Sequence, residues 1–241
     1  MTENYVNHYK RWHVPTVAHA TEVSIVYEQV LKNRLPENKN SKILDIGCGM
    51  GLALWFLQKK GYINCFGIDI DKGQVDAAIK LGVNATWVAN TLDYLKDNRE
   101  FDCVMMLDVL EHVDAGDQIP LLKAISGALR PGGTIVVTVP NADSCIATRW
   151  RYIDYTHKMS FTEASLSYLL EAGSFRIQHL GGANIYKVNP KKFRLAGNIF
   201  SEICKKAGRF VRRIELIGEL GSVEGPQICI DINLIAVATI K

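Results

Sequence analysis

The sequence predicts an α/β fold built on a mostly parallel sheet with helices on both faces. Three observations carry this. Short apolar runs alternate with helix-length segments from about residue 42 onward, the rhythm of successive βαβ units. Between the first run and the first helix lies a cluster of glycines, Gly47, Gly49 and Gly51. The apolar runs at 102–107 and 134–139 lack polar alternation, as strands buried on both faces do.

Taken in order, residues 1–15 carry Tyr5, His8, Tyr9, Trp12 and His13 with few aliphatics and do not read as a core element. A helix is predicted at about 16–34, from Val23, Val26, Tyr27, Val30 and Leu31 at helical spacing, closed by Pro36. Strand 42–46, helix 52–60, strand 64–70, helix 72–81, strand 85–89, a short helix near 91–96 and strand 102–107 follow. Helix 115–129 stops at Pro131-Gly132-Gly133, and 134–139 is the next buried strand. Residues 141–159 read as a loop, 162–172 as a helix capped by Ser160 or Thr162, and 175–180 as a strand. An amphipathic helix is predicted over about 191–215, and an apolar last strand over 228–240. The organisation is therefore an N-terminal lid and helix (1–40), a core (41–181), an inserted helical segment (182–227) and a completing strand (228–241).

Composition bounds the function. The chain has 241 residues, 48% hydrophobic and 22% charged, an ordinary globular balance. No signal segment opens it, and no apolar run approaches the roughly 18 residues of a membrane span. Six cysteines without C-x-x-C spacing read as reduced, mostly structural thiols in a cytoplasmic setting, and no metal ligand set is expected. The net charge of +3 is uneven: residues 191–213 hold eight cations and one acid, while the rest is mildly acidic. That distribution does not suit nucleic acid.

The sharpest motif is Ile43-Leu44-Asp45-Ile46-Gly47-Cys48-Gly49-Met50-Gly51, between a strand and a helix. Its third glycine falls one residue too early for the dinucleotide fingerprint G-x-G-x-x-G. Asp69 ends the next strand, 18 residues after Gly51, where a carboxylate can accept both hydroxyls of a ribose.

Together with Phe101-Asp102-Cys103-Val104, Val109-Leu110-Glu111-His112, Leu129-Arg130-Pro131-Gly132-Gly133 and Val139-Pro140-Asn141, this D-x-G-x-G-x-G loop resembles the class I methyltransferases that use S-adenosylmethionine (AdoMet). The resemblance runs from about residue 41 to 181. It implies a Rossmann-like, mostly parallel seven-stranded sheet and AdoMet as cofactor. The implied cofactor contacts are Asp45, Gly47, Cys48, Gly49, Gly51, Asp69, Ile70, Asn90, Thr91, Leu107 and Asp108. Asn90 stands where the family usually places an acid for the adenine amine, and Asp93 is its rival.

The acceptor is less defined. Asp108-Val109-Leu110-Glu111 replaces the D/N-P-P-Y/F of base amino methylation, so an oxygen acceptor is expected. The stretch 151–162, with Asp154, Thr156, His157, Ser160, Phe161 and Thr162, resembles methyltransferases of surface-polysaccharide assembly. This makes a glycan or lipid-linked glycan hydroxyl the leading expectation. A quinone or other small-molecule O-methyltransferase is the enzymatic alternative, and an AdoMet-binding scaffold protein the non-enzymatic one. His157 is the expected general base, because imidazole titrates near neutrality; fixing the loop is its structural alternative. His112 is the second candidate, with a scaffold role as alternative. Asp154 and Asp108 could orient a base or hold a divalent ion, but their spacing establishes no metal site. The basic helix over 191–214 suits the anionic inner face of a membrane, or else a lid or a contact in a homodimer.

Overall fold

The computed structural model of the protein describes residue 9, residues 13–183 and residues 195–241, the last with side chains from residue 203 onward. Seven strands form one sheet: β1 (Ile43–Ile46), β2 (Cys65–Asp69), β3 (Ala85–Trp87), β4 (Phe101–Leu107), β5 (Leu129–Pro140), β6 (Phe175–Gly182) and β7 (Asn233–Ile240). Their spatial order is β3-β2-β1-β4-β5-β7-β6. The first five are parallel, while β7 runs antiparallel to both β5 and β6.

The helices α1 (Val17–Leu31), α2 (Leu52–Lys59) and α3 (Lys72–Leu81) cover one face; α4 (Thr91–Asp97), α5 (Ala115–Ala128) and α7 (Glu163–Ala172) cover the other. Neighbouring strand residues alternate between the two cores. Ile43, Cys103 and Val136 face the first set, and Leu44, Val104 and Val137 the second, the period-2 geometry of a strand. Two covered faces explain why these strands are apolar throughout.

Local chemistry sets the ends. Asp71 caps α3 by accepting from Gln74 N, and Gly82 (φ +87°) closes it. Thr162, rather than Ser160, caps α7 in a reciprocal pair with Ser165. The Pro131-Gly132-Gly133 turn does end α5, but the backbone already pairs with β4 at Leu129, so the turn is a bulge within β5.

Three sequence expectations shift. The predicted loop 141–159 contains a short helix, α6 (Ala147–Tyr152). The last strand starts at Asn233, because side chains take the carbonyls before it: Arg213 donates to Ile228 O, and Asn141 to Cys229 O and Asp231 O. The inserted helix is longer than predicted. As α8 it spans Leu195–Glu224, its path broken at Gly221 (φ +86°).

Three arginines of α8 have work within the fold. Arg209 pairs with Asp231, Arg212 with Asp143 and Glu215, and Arg213 donates to two backbone carbonyls. Lys191, Lys192 and Arg194 lie outside the described residues. Beside the exposed Lys205 and Lys206, α8 shows apolar side chains to solvent: Ile203, Phe210, Val211 and Ile214 are each more than half exposed. Among the described residues no helix is long and apolar enough to cross a membrane.

Candidate active site at the carboxyl ends of the strands

The glycine loop leaves β1 and turns into α2. Gly47, Gly49 and Gly51 all adopt positive φ, which side chains resist. Two of them are closed in by packing. A Cβ at Gly47 would meet Val109 Cγ2 at 2.6 Å, and one at Gly51 would meet Val83 Cγ2 at 2.4 Å. Gly49 differs: a Cβ there would meet only Tyr9 Oη at 3.6 Å and Gln74 Oε1 at 3.8 Å, ordinary contact distances. Its face is the open one. Of the expected N-terminal lid, Tyr9 therefore lies beside the loop, whereas Tyr5, His8 and Trp12 lie outside the described residues.

Asp69 fixes this loop. Its Oδ2 accepts from Gly49 N at 2.9 Å and its Oδ1 from Asp71 N at 2.8 Å. One lone pair on each oxygen remains for a ribose hydroxyl. Burial raises its pKa, and the amide hydrogen bonds oppose the rise. Asp45 lies beneath the loop, buried, and burial followed by the nearby Asp69 pushes its pKa up to about 8. It holds a proton near neutrality and is not an open contact surface. Cys48 is also buried, and its thiol is pushed up by burial.

Beyond Asp69, Ile70 and Trp87 are both exposed and joined by an indole N–H to Ile70 O bond of 3.1 Å. They form an apolar shelf suited to a flat base. Trp87 was not singled out in the sequence, because one aromatic at a strand end carries no motif.

Asn90 is a correction. Its Oδ1 accepts from Leu92 N and Asp93 N and so caps α4. Both lone pairs are used, so Asn90 has none left for an adenine amine. Its rival Asp93 is exposed and pairs with Lys96. Thr91 begins α4 and is half-buried.

The residues present fit AdoMet: an open glycine face, a ribose-facing carboxylate, an apolar shelf, and the buried Gln74 Oε1 without a partner beside Gly49. No sequence signal marks Gln74 either, since a single Gln at the start of a helix looks like any surface residue.

Leu107 ends β4 at the centre of the crevice, and Asp108 follows with φ +56°. Asp108 Oδ1 accepts from Thr138 Oγ1 (3.0 Å) and Asn233 Nδ2 (2.9 Å). Burial raises its pKa, and the Thr138 bond, His157 and Asn233 oppose the rise.

The next turn carries Glu111 and His112. Glu111 is fully buried, and neither carboxylate oxygen has a hydrogen-bond partner. Burial, then Asp108 and Asp154, hold it well above the usual carboxylate range. Thr156 Oγ1 donates to Asp154 Oδ1 at 2.8 Å and lies 2.8 Å from His112 Nδ1. A hydroxyl has one hydrogen to give, so His112 Nδ1 must be the donor there, leaving Nε2 bare. His157 Nδ1 lies 2.9 Å from Trp150 O. A carbonyl only accepts, so His157 Nε2 is bare as well. The two rings stand edge to face, with centroids 4.7 Å apart. Burial, then His157, lowers the pKa of His112 to about 4, so this ring is neutral at physiological pH. Burial alone would raise Asp154, but its bonds from Thr156 outweigh that and leave it below the ordinary value.

The fold thus brings His112, His157 and Asp154 to one end of the crevice and adds Glu111. One ligand atom from each of Glu111, His112 and His157 lies within 4.8 Å of the others. The sequence marks Glu111 only as part of a signature and predicts no metal ligands. The signal available was an acid between Leu110 and His112, flanked by Val109 and Val113.

Comparison with known proteins agrees with this geometry. The profile of the methyltransferase domain family matches residues 21–180. The ubiquinone biosynthesis O-methyltransferase of Aeromonas salmonicida is 26% identical over 175 residues, covering 66% of this chain and 72% of that protein. Its counterpart in Rickettsia canadensis is 31% identical over 104 residues, and there the chain spans 43% of the relative's length. Among solved structures, a SAM-dependent methyltransferase from Archaeoglobus fulgidus superposes with a TM-score of 0.63 at 20% identity, covering 98% of this chain and 99% of that one. The plantazolicin methyltransferase BpumL, solved with SAH, superposes at 0.57 and 18% identity, covering 99% and 90%. With the profile spanning about two thirds of the sequence and the glycine loop, Asp69 and strand order in register, the chain belongs to the methyltransferase domain family, whose cofactor is S-adenosylmethionine.

Proposed function

We propose that the protein is an O-methyltransferase whose acceptor is a phenolic hydroxyl on a ring of the quinone-precursor kind. The carrying observation is the pair of bare imidazole nitrogens, His112 Nε2 and His157 Nε2, at the acceptor end of the crevice. A phenol has a pKa near 10, within reach of neutral imidazoles and neighbouring carboxylates. A sugar hydroxyl is far less acidic and asks for a stronger base. The relatives named above are ubiquinone biosynthesis O-methyltransferases, which supports the same reading. The glycan acceptor suggested by residues 151–162 finds no support in them.

AdoMet supplies a methyl carbon activated by a sulfonium. The protein orients it with Asp69 and the open face of Gly49. So held, AdoMet would supply its methyl carbon to the acceptor oxygen, the bonding electron pair staying on sulfur. The hydroxyl proton leaves to the group formed by His112, His157, Glu111 and Asp108. Alignment and proton removal are the two tasks such a site must perform. An acceptor with an apolar tail would also give a purpose to the exposed apolar side of α8, which lies along a membrane surface in this reading.

The test is production of S-adenosylhomocysteine by purified protein given AdoMet and either a catechol-type ring or a lipid-linked glycan. Turnover with the ring is expected. Turnover with the glycan alone would overturn the acceptor assignment, and no turnover despite AdoMet binding would favour a scaffold protein.

A further inference from the structure

Gln74 carries a buried acceptor that the protein itself leaves unanswered. Its side chain, on the first turn of α3, is 2% exposed, and Oε1 has no hydrogen-bond partner. An amide oxygen only accepts, and a buried one without a hydrogen bond is destabilising. The surrounding groups have no hydrogen to spare. Gly49 N gives its hydrogen to Asp69 Oδ2, Asp71 N to Asp69 Oδ1, and Gln74 N to Asp71 Oδ1.

A second polar group comes to the same spot from the far end of the chain. A Cβ built at Gly49 would lie 3.6 Å from Tyr9 Oη and 3.8 Å from Gln74 Oε1. Phenol and amide thus flank one patch of the loop's open face. The phenol is moored there. His13 N donates to Tyr9 O at 3.1 Å, and the Tyr9 and His13 rings have centroids 4.9 Å apart. His13 Nδ1 in turn lies 3.0 Å from Nε2 of His19 on α1, a helix whose start Thr16 caps.

The patch adjoins the ribose position. Gly49 is bonded directly to Asp69, and Gln74 is joined to it through Asp71. We propose that Gln74 and Tyr9 complete the donor's ribose site. Asp69 takes the hydrogen of one ribose hydroxyl and Gln74 Oε1 takes that of the other. The Tyr9 ring, fixed by the His13–His19 pair, lies over the ribose as a strap that slows release of the cofactor. The segment around Tyr9 then belongs to the methyl donor and has no part in choosing the acceptor. The inference rests on AdoMet as cofactor and is independent of which hydroxyl receives the methyl group.

Binding tests it without turnover. S-adenosylhomocysteine and its 2′-deoxy and 3′-deoxy analogues are titrated by calorimetry into the full chain, with no acceptor present. Gln74→Met keeps the bulk of the side chain and removes the acceptor, and should weaken S-adenosylhomocysteine about tenfold. One of the two deoxy analogues should bind the wild type about tenfold more weakly and lose little more in the variant, because both changes remove the same bond. Urea midpoints show whether the variant is folded, and Gln74→Ala replaces it if methionine does not fit. Equal losses for all three ligands would make Gln74 a packing residue and overturn its assignment. Release of S-adenosylhomocysteine, followed by stopped-flow tryptophan fluorescence, should be about tenfold faster in Tyr9→Ala and in His13→Ala. Tyr9→Phe, which keeps the ring, should stay within about twofold of wild type. Unchanged release from Tyr9→Ala would remove the strap from the donor site.

Discussion

Thr156 holds His112 in a single tautomer. Its hydroxyl lies 2.8 Å from His112 Nδ1 and gives its own hydrogen to Asp154 Oδ1, also at 2.8 Å. The 3-10 turn after β4 is tied in this way to the segment beyond β5. Without that bond the imidazole is free to carry its proton on either nitrogen. Thr156→Val should lower turnover by roughly ten- to a hundredfold, with Thr156→Ser near wild type. Nitrogen chemical shifts of the His112 ring, read by NMR, should show mixed tautomers in the valine variant alone.

Asp69 serves both loop and ligand, so its removal should exceed the effect of a lost ribose contact. Asp69→Ala frees Gly49 N and Asp71 N as well. AdoMet affinity should fall by about 1–3 kcal/mol or more, measured by calorimetry. An unchanged affinity in a folded variant would remove Asp69 from the cofactor site.

The glycines of the loop should separate binding from stability. Gly51→Ala places a Cβ 2.4 Å from Val83 Cγ2 at φ +77° and should cost about 2–5 kcal/mol in urea unfolding. Gly49→Ala meets nothing closer than 3.6 Å. It should cost only about 1–2 kcal/mol for its backbone angle while weakening AdoMet about tenfold or more.

Asp45 makes stability depend on pH. Its pKa is about 8 in the fold against an ordinary 3.8. The unfolded chain therefore releases this proton first as pH rises, and stability declines across that interval. Asp45→Asn removes the dependence. Its stability relative to wild type should improve by roughly 3–5 kcal/mol between pH 4 and pH 8, as read from denaturant midpoints at several pH values. A constant difference would show that Asp45 is already ionised within the fold.

On α8, Arg209, Arg212 and Arg213 are engaged with the rest of the protein and its other described cations are Lys205 and Lys206, both exposed, so vesicle binding should depend on the apolar side. Replacing Phe210, Val211 and Ile214 by Ser should abolish sedimentation with vesicles, and raised salt should weaken the wild type only modestly. Strong salt sensitivity, with the serine variant still bound, would return the role to the cations.

The cofactor half of this site was legible because backbone demands it. Glycines at fixed steps, a carboxylate at the next strand end and apolar strands between helices leave few other folds. The acceptor half was legible only as separate residues. His112 and His157 are 45 positions apart in the chain, and only the turn at Leu110–His112 and the bond from His157 to Trp150 bring them face to face. Glu111 looked like part of a signature because burial is not written in a residue's identity. Asn90 looked like an adenine contact through its oxygen, but that Oδ1 caps the helix it starts. The helix Ala147–Tyr152 was missed because it buries none of its residues, so the sequence carries no periodic apolar stripe there.

The placement of β7 gives the two halves of the site different birth times. The cofactor half rests on β1, β2 and β3, with Val109 beyond β4 packed on Gly47. The acceptor half needs Asn233 against Asp108, and Asn141 anchored on Cys229 and Asp231. At translation rates of about 5–20 residues per second, roughly 8–30 s separate residue 87 from residue 240. During that interval the acceptor end lacks its last strand, so the site is completed only when the end of the chain has emerged and docked as β7.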